Sequence, residues 1–197
     1  MDSPPVVRAA TADDADAIAQ IYAPIVRDTA ISFEETPPDA DEFVRRMLTR
    51  PRLPWLLAES SGPDRSVLGY AYGSQHRSRA SYRWSVDCSV YVNTGARGHG
   101  VGRVLYSMLF DELRALAYVS LFAGVTQPNP ASTRLHQALG FRPVGTYERT
   151  GHKHGHWHDV TWWQLDLRAA PASPVEPHEW GGALAARPGA GQGTTEN

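Results

Sequence analysis

A glycine-rich turn in the middle of the chain has the residue types that bind phosphate. The segment 97–102 reads Arg-Gly-His-Gly-Val-Gly; an apolar run at 88–92 precedes it, and a run with helical spacing, 103–113, follows. The first turn of a helix has unpaired N–H donors and partial positive charge, and glycines let an anion approach the backbone closely. The sequence therefore predicts a turn that binds a pyrophosphate group. The residues assigned to it are Arg97, Gly98, His99, Gly100, Val101, Gly102 and Arg103.

Two other phosphate-binding motifs compete for this turn. A Rossmann dinucleotide site needs G-x-G-x-x-G after the first strand of a parallel unit, with an acidic residue about 20 positions later. Here the glycines fall in mid-chain, after strands that read as antiparallel hairpins. A Walker A loop needs Gly-Lys-Ser/Thr, and no such triplet follows. Both motifs are therefore disfavoured.

The strands and helices that position the turn follow a definite order. Apolar runs predict strands near residues 6–10, 53–59, 66–74, 82–92, 118–125, 141–149 and 156–167. Helical spacing and capping residues predict helices that begin after Thr11, near Pro37, at Val101 and at Asn129. The order is β-α-α-β-β-β-turn-α-β-α-β-β, which places the glycine turn at a strand–helix junction.

Length and composition limit the classes of protein. With 197 residues, 42% hydrophobic and 20% charged, the chain has the composition of one globular domain. A net charge of −2 argues against binding to nucleic acid or anionic lipid, and the N-terminus lacks the pattern of a signal peptide. No apolar run approaches the roughly 20 residues of a membrane span, so we expect a cytoplasmic protein without a membrane partner. From residue 169 onward Ala, Pro, Gly and Thr dominate, which predicts a domain at 1–168 and a disordered tail at 169–197.

Two further features resemble reactive sites. Four histidines alternate in the last predicted hairpin: His152, His154, His156 and His158. The glycines beside them place the first two in a turn, so we expect no metal site there. Cys88 is the only cysteine, and a lone strand cysteine is expected to be a small hydrophobe rather than a nucleophile.

Two motifs in this order resemble the GCN5-related N-acetyltransferase (GNAT) family. Residues 97–102 match its Q/R-x-x-G-x-G/A pyrophosphate signature, and residues 129–141 match its N-x-x-[AS]-x-x-x-[Y/H]-x-x-x-G-F segment. Within that family the chain is similar to the phosphinothricin and methionine sulfone/sulfoximine N-acetyltransferases over residues 6–167. The positions that carry this likeness are 31–33, 71–72, Arg79, Tyr82, Trp84, 89–92 and 153–160.

The resemblance implies a single-domain α/β (α+β) fold with a mostly antiparallel sheet, splayed at the acetyl-CoA strand and flanked by helices. It also implies acetyl-CoA as co-substrate, without a metal. In this family the pantetheine arm pairs like an extra strand with the backbone before the turn, here Val90, Tyr91 and Val92. Asn129 matches the asparagine that hydrogen-bonds this arm, although asparagine also serves as a helix N-cap. Ser132 is assigned to acetyl-CoA with it.

The resemblance further implies direct acetyl transfer from the thioester to an amine in a ternary complex. Asp87 is our candidate for the base that deprotonates the amine, because a carboxylate in an apolar strand is costly to bury. The subfamily has glutamate at this position; aspartate is shorter by one C–C bond, about 1.5 Å, so we expect proton transfer through a water. The alternative is an outward-facing strand carboxylate.

His136 falls where many family members have the tyrosine that protonates the departing thiolate. An imidazole is suited to act as an acid or a base near neutral pH. The alternative for His136 is a histidine on a helix surface. Tyr106, in the helix after the turn, is expected to pack rather than to react.

The acceptor is expected to be a small amino-acid-like amine. Arg79, and Arg77 beside it, suit a carboxylate or phosphinate, and Phe33, Tyr72 and Tyr82 match the subfamily as walls of the pocket. Relatives are commonly dimers, so we expect a homodimer through the last two strands, and we expect no nucleic-acid partner. Two alternatives stay open: a different amine, such as a protein N-terminus or a polyamine, and a catalytically silent acyl-CoA-binding sensor.

Overall fold

A mixed seven-stranded sheet runs through the part of the chain that the computed structural model describes, residues 4–182. Its strands are β1 (Val6–Ala9), β2 (Trp55–Glu59), β3 (Val67–Gln75), β4 (Ser85–Val92), β5 (Ser120–Thr126), β6 (Arg142–Lys153) and β7 (His156–Asp166). Their order in the sheet is β1-β2-β3-β4-β5-β7-β6, and every neighbouring pair is antiparallel except β4 and β5. The mixed, mostly antiparallel sheet expected from the sequence is therefore confirmed.

Helices cover both faces of the sheet. In the described residues they are α1 (Ala15–Asp28), α2 (Ala40–Met47), α3 (Val101–Ala115) and α4 (Pro130–Ala138). Apolar side chains of α1 and α2 pack with residues of β2 and β3 such as Leu57 and Tyr70. On the other face, Leu105 and Leu109 of α3 pack in a second core with Leu121 of β5. Among the described helices, none is long and apolar enough to cross a membrane.

The sheet splits between β4 and β5. These parallel strands pair only over Ser85–Asp87, opposite Ser120–Phe122. Beyond this point β4 continues to Val92 along β3, whereas β5 continues to Thr126 along β7. Within the described residues, the β5-facing edge of β4 therefore has no strand partner over 88–92. This is the splayed sheet that the resemblance implied.

The largest differences from the predicted strand boundaries are at the start of β4 and the end of β6. β4 begins at Ser85, because the preceding residues Ala80–Tyr82 form a short turn of 3-10 helix. β6 continues to Lys153, so Gly151 lies in the strand rather than in the hairpin turn. A register shift just before Gly151 accommodates the extra residues, as a β-bulge does.

The beginning of the predicted tail lies against the domain. Trp180 is 7% exposed, and its indole Nε1 donates a hydrogen bond of 3.0 Å to Oε2 of Glu112 in α3. Upstream, Oε2 of Glu176 lies 2.6 Å from Nε of Arg83. One large aromatic side chain supplies buried area here that the surrounding composition lacks. The boundary at residue 168 and the disorder of the tail stay predictions. Residues 183–197 of the predicted tail lie outside the described residues.

Candidate active site

A cleft opens where β4 and β5 diverge. Its outer part is a cavity of about 510 Å³ lined by Val92 of β4, the glycine turn and the start of α4. Its inner part is a cavity of about 60 Å³ between Ser89 and the β5 residues 123–126, with His136 in its wall. The two parts adjoin, because they share the wall residues Ile31, Val90, Tyr91, Asn129 and Ser132.

The glycine turn forms one wall of the outer cavity. Gly98 and Gly100 both have a φ of +80°, a left-handed conformation that costs other L-residues about 1–2 kcal/mol. Gly100 is the N-cap of α3, and its carbonyl accepts a hydrogen bond of 3.1 Å from the N–H of Val104. The N–H groups of residues 101–103 precede this bond and have no partner within the helix. They are the groups that the sequence predicted as anion-binding donors, and that role stays a prediction.

His99 is the one residue of 96–103 that does not line this cavity. Its ring Nδ1 lies 2.9 Å from the carbonyl oxygen of Arg97, to which it donates a hydrogen bond. This contact joins two residues within the glycine turn. The side chain of His99 is therefore assigned to the shape of the turn rather than to a cofactor contact.

Three arginines line the outer cavity: Arg97, Arg103 and Arg134. Nε of Arg97 also donates a hydrogen bond of 3.3 Å to the carbonyl of Val92, which ties the turn to the end of β4. Within residues 4–182 none of the three forms an ion pair, so their charge is available to an anionic ligand. Arg134 is missing from the sequence-based assignment, because the local pattern does not show which face of α4 meets the turn.

Asn129 is the N-cap of α4, which is one of the two roles predicted for it. Its Oδ1 accepts a hydrogen bond of 3.1 Å from the N–H of Ser132. Both residues also line the two parts of the cleft. The side-chain nitrogen of Asn129 donates to no acceptor within the described residues, so capping leaves it available to a ligand.

His136 lies at the inner end of the cleft and not on a helix surface, with only 2% of it exposed. Its Nδ1 donates a hydrogen bond of 2.8 Å to the carbonyl of Ser132, and its Nε2 lies 3.5 Å from the hydroxyl of Tyr106. Burial lowers the pKa of His136, and the bond to Ser132 opposes only part of this shift. The ring is therefore neutral at pH 7, with Nε2 as an acceptor.

Asp87 lies where β4 and β5 separate, in the last paired position, opposite Phe122. Its Oδ1 is 2.6 Å from Nδ1 of His76, the residue after β3. Burial raises the pKa of Asp87, whereas the hydrogen bond and charge of His76 lower it by a smaller amount. The carboxylate is half-buried and paired, so the alternative of an outward-facing strand carboxylate does not hold.

Two of the residues predicted to bind the acceptor are in packing contacts. Phe33 lies over Gly151, where an added Cβ would be 2.2 Å from the phenyl ring. Tyr72 stacks on Trp55 with ring centroids 4.2 Å apart, and it lines a separate cavity of about 240 Å³. Phe33 therefore packs against β6, whereas Tyr72 packs against Trp55 of β2.

The other two predicted acceptor residues lie in the turn between β3 and β4. Tyr82 is exposed, and its ring centroid is 5.9 Å from that of His76. Arg79 is the N-cap of the same 3-10 turn. The structure therefore brings Tyr82 near the His76–Asp87 pair, with Arg79 three residues before it in the chain.

The loop between α1 and α2 is fastened to the last hairpin by Lys153, the only lysine of the chain. Its Nζ donates to the carbonyls of Val26, Ser32 and Glu34 at 2.6, 2.7 and 2.8 Å. These bonds use every donor of the ammonium group. They fix the backbone on both sides of Ile31, which lines both parts of the cleft.

The alternating histidines do not form a metal site in the described residues. They are divided between β6, the hairpin turn and β7. No group of three or more His, Cys, Asp or Glu side chains within 4–182 is arranged to hold a metal ion.

Known proteins are similar to this chain in both sequence and fold. The chain matches the acetyltransferase (GNAT) domain over residues 7–162. The phosphinothricin N-acetyltransferase of Streptomyces coelicolor is 39% identical over 172 residues, which cover 82% of this chain and 95% of that protein. The L-methionine sulfoximine/L-methionine sulfone acetyltransferase of Salmonella typhimurium is 37% identical, over 84% of this chain and 97% of that protein. The chain belongs to the GNAT acetyltransferase family.

A solved structure gives the same result for the fold of this acetyltransferase. The GNAT superfamily phosphinothricin acetyltransferase from Sinorhizobium meliloti, in complex with AcCoA, matches it with a TM-score of 0.82. The two sequences are 36% identical, and the match covers 88% of this chain and 95% of the other. The fold that the sequence resemblance implied is therefore confirmed.

The walls of the cleft in this acetyltransferase fit acetyl-CoA. Backbone donors at the start of α3 and the unpaired arginines suit the phosphates. The open edge of β4 suits an amide-bearing arm, because backbone N–H and C=O groups without a partner need one. Acetyl-CoA is the co-substrate.

Gly100→Ala is expected to raise the KM for acetyl-CoA. An alanine at a φ of +80° is strained by about 1–2 kcal/mol, and rotating the turn to relieve the strain misaligns the anion-binding N–H groups, so we expect roughly a tenfold effect. Gly95→Ala is the matched control, since Gly95 is not left-handed and an added Cβ would approach only Oδ1 of Asn93, at 4.0 Å. Steady-state kinetics with varied acetyl-CoA measures both. Equal KM values in the two variants would contradict the role of the turn.

Proposed function

We propose that this acetyltransferase moves the acetyl group of acetyl-CoA to the amino group of a small amino-acid-like acceptor, such as phosphinothricin, methionine sulfone or methionine sulfoximine. The observation that carries the proposal is the cleft, which joins an anion-binding turn to an open strand edge beside a half-buried carboxylate, Asp87. The names of the relatives support the class of acceptor.

The outer cleft is assigned to the binding of acetyl-CoA. The N–H groups of the glycine turn and the side chains of Arg97, Arg103 and Arg134 are proposed to hold its phosphates. The backbone of Val90–Val92 and the side-chain nitrogen of Asn129 are proposed to hydrogen-bond the pantetheine arm. Bound in this way, acetyl-CoA supplies an activated thioester. A backbone N–H of β4 is assigned to its carbonyl oxygen, where negative charge develops during transfer.

Tyr106, rather than His136, is proposed to stabilise the departing thiolate. In neutral His136 the single N–H is already bonded to the carbonyl of Ser132, so Nε2 has no proton to give. Tyr106 lines the inner cavity, and its hydroxyl lies 3.5 Å from Nε2 of His136 and is hydrogen-bonded to the thiol of Cys88. Both are weak hydrogen bonds, the first because of its length and the second because sulfur is a weak partner. Burial raises the pKa of Tyr106, so the hydroxyl stays protonated and acts by hydrogen bonding to the departing sulfur.

The acceptor is proposed to bind on the sheet face that carries Asp87. Arg79 is assigned to its carboxylate and Tyr82 to its side, since both lie in the turn that follows His76. Phe33 and Tyr72 stay assigned to the acceptor by the resemblance alone.

A homodimer through the last hairpin is also proposed. β6 is an edge strand of 12 residues, and the apolar side chains of Val144, Tyr147 and Trp157 are exposed on this hairpin. A long edge strand with exposed apolar residues favours pairing with another chain, here a second copy. A cytoplasmic location stays a prediction.

A thiol-release assay with acetyl-CoA tests the proposed function. Phosphinothricin, methionine sulfone, methionine sulfoximine and ordinary amino acids are offered at equal concentration, and at least one of the first three is expected to give saturable release of the thiol. The N-acetylated form of the same acceptor is the control, because it has no free amine. Binding of acetyl-CoA without turnover of any amine would instead support a silent sensor. Turnover of only polyamines or peptides would replace the acceptor class.

A further inference from the structure

His76 and Asp87 form a pair at the apex of the cleft. The Oδ1–Nδ1 distance of 2.6 Å joins the end of β3 to the last residue of β4 that pairs with β5. Val86 and Cys88 on either side of Asp87 pack in the core with α3, so Asp87 points to the opposite face of the sheet. The pair therefore lies on the face proposed for the acceptor, directly below the point where the strands open.

Aromatic contacts fix the ring of His76. It stacks on Phe122 with centroids 4.3 Å apart and planes at 16°, and the rings of Tyr82 and Trp162 meet it at 5.9 and 6.1 Å. The side chain of His76 is 11% exposed. Within the described residues Nδ1 bonds to Asp87 and Nε2 has no hydrogen bond. Such an arrangement orients an imidazole without using its second nitrogen.

We propose that His76 takes the proton from the acceptor amine, and that Asp87 acts by holding the imidazole with Nδ1 protonated and Nε2 free. The proposal rests on the proposed function, whose reaction needs a base at this point. A carboxylate that accepts the Nδ1–H fixes the tautomer and stabilises the imidazolium, as in serine hydrolases. Asp87 is then a positioning residue, and His76 is the group that meets the substrate.

Because the side chain of Asp87 is short, the ring of His76 is the part of the pair that extends toward the substrate. An aspartate side chain is shorter than a glutamate side chain by one C–C bond, about 1.5 Å. The imidazole of His76 continues from Oδ1 of Asp87 and extends the proton-accepting unit by the width of the ring. Imidazole is also the side chain that most often transfers protons in enzymes.

The proton transfer balances within the acetyl transfer. The acceptor ammonium gives one proton to Nε2 of His76, which becomes an imidazolium held by Asp87. The free amine forms a C–N bond with the acyl carbon, and the C–S bond breaks with its electron pair going to sulfur. The thiolate then takes the second proton from the new amide nitrogen, and His76 returns its proton to solvent.

Within residues 4–182, four side chains face the ring of His76. Asp87 faces it from β4, Tyr82 from the turn before β4, Phe122 from β5 and Trp162 from β7. Its neighbour Arg77 lies with its guanidinium 5.5 Å from the centre of the Trp162 ring. Asp87 is therefore the anion in contact with the imidazole, and Arg77 is the nearby cation.

Three variants test the proposal in the full chain: His76→Phe, Asp87→Glu and the double variant. Phenylalanine keeps the stack on Phe122 and removes both nitrogens, so kcat/KM for the acceptor is expected to fall about 100-fold or more. In the double variant the glutamate reaches further by about 1.5 Å, and at least a tenfold recovery over His76→Phe is expected. Because the proton acceptor has changed from an imidazole to a carboxylate, the pH profile of its kcat/KM is expected to differ from that of the wild type.

Controls separate failure of this proposal from failure of the proposed function. His178→Phe changes an exposed histidine outside the cleft and is expected to keep wild-type kinetics. If the wild type turns over no amine, the proposed function fails, and this proposal fails with it. If the wild type is active and His76→Phe keeps its activity and pH profile, only the role of His76 is overturned. Lack of recovery in a folded double variant, or full activity of His76→Gln should His76→Phe not fold, would also overturn it.

Discussion

Asp87→Asn is expected to lower kcat/KM for the acceptor by about 10²–10⁴-fold, the range that a positioned acid–base group contributes. Asparagine keeps the shape of the side chain but has no charge. It neither accepts a proton nor stabilises an imidazolium at His76, whose Nδ1 lies 2.6 Å away. The KM for acetyl-CoA is expected to stay unchanged, because Asp87 does not line the outer cavity.

Steady-state kinetics with each substrate varied in turn measures this effect. Asp64→Asn, at an exposed position between β2 and β3, is the matched control and should behave as the wild type. Activity within twofold of the wild type in Asp87→Asn would remove Asp87 from the mechanism, whether as base or as the residue that holds His76.

The wild-type enzyme is expected to lose activity on the acid side as Asp87 becomes protonated. Burial raises the pKa of Asp87 above 3.8, and His76 reverses only part of that shift. The mechanism needs the ionised carboxylate, so its contribution is complete at high pH and is lost as the pH falls through this raised pKa. Loss of activity on the acid side is therefore expected at a higher pH than a solvent-exposed aspartate, with a pKa of about 4, would give.

Local motifs made the conformation of the glycine turn and the cap of α4 predictable. A glycine turn needs left-handed backbone at Gly98 and Gly100, and the N-cap of a helix needs a residue such as Asn129. Both requirements act within a few residues, so each leaves a pattern that can be read in the sequence. Their order along the chain carried the resemblance to the GNAT family, and the resemblance implied the fold, including the opening between β4 and β5.

Contacts between distant segments were not predictable in this way. His76 and Asp87 are 11 residues apart in the chain, and strand register joins them, since Ser74 pairs with Asp87 across β3 and β4. Antiparallel strands before the glycine turn were expected, but their register was not, and register is what makes His76 the neighbour of Asp87. Arg134 depends in the same way on how α4 packs beside the turn.

A contact between distant segments also occurs within the segment that was predicted as a tail. Average composition over 169–197 is poor in large apolar residues, and no periodic pattern marks a helix or strand there. A single side chain, Trp180, is enough to anchor residues before it, because its indole is buried and bonded to Glu112. Composition averaged over a segment does not reveal a single buried side chain such as Trp180.

The loop that carries Ile31 depends on several contacts between distant residues. The Tyr22 hydroxyl bonds to Oγ of Ser32 at 2.7 Å, and Arg46 holds the Glu34 carboxylate with two hydrogen bonds, of 2.9 and 3.1 Å. Lys153 adds three bonds to backbone carbonyls from a strand more than 110 residues away in sequence. The loop is thus held by side chains of α1, α2 and β6, and the cleft wall at Ile31 depends on them.

Lys153→Met is expected to lower the free energy of unfolding by about 3 kcal/mol, because three charge-assisted bonds are lost and buried carbonyls are left without donors. Methionine keeps the length and volume of the stem, so the loss isolates the ammonium group from packing. Lys153→Arg is expected to recover little, since a planar guanidinium does not direct its donors at three converging carbonyls as an ammonium does. The destabilised loop is also expected to raise the KM for acetyl-CoA through Ile31.

Urea unfolding at one protein concentration measures the change, provided that the slope of the transition is the same in each variant. Arg142→Met removes an exposed cation from the same strand, whose guanidinium is 3.9 Å from the Asp166 carboxylate, and it is the matched control. Its effect is expected to stay within about 0.5 kcal/mol, as for most surface substitutions. Equal unfolding free energies for Lys153→Met and Arg142→Met would mean that the loop does not depend on Lys153. A large loss confined to Lys153→Met would show that one buried ammonium group connects the last hairpin to the wall of the acetyl-CoA cleft.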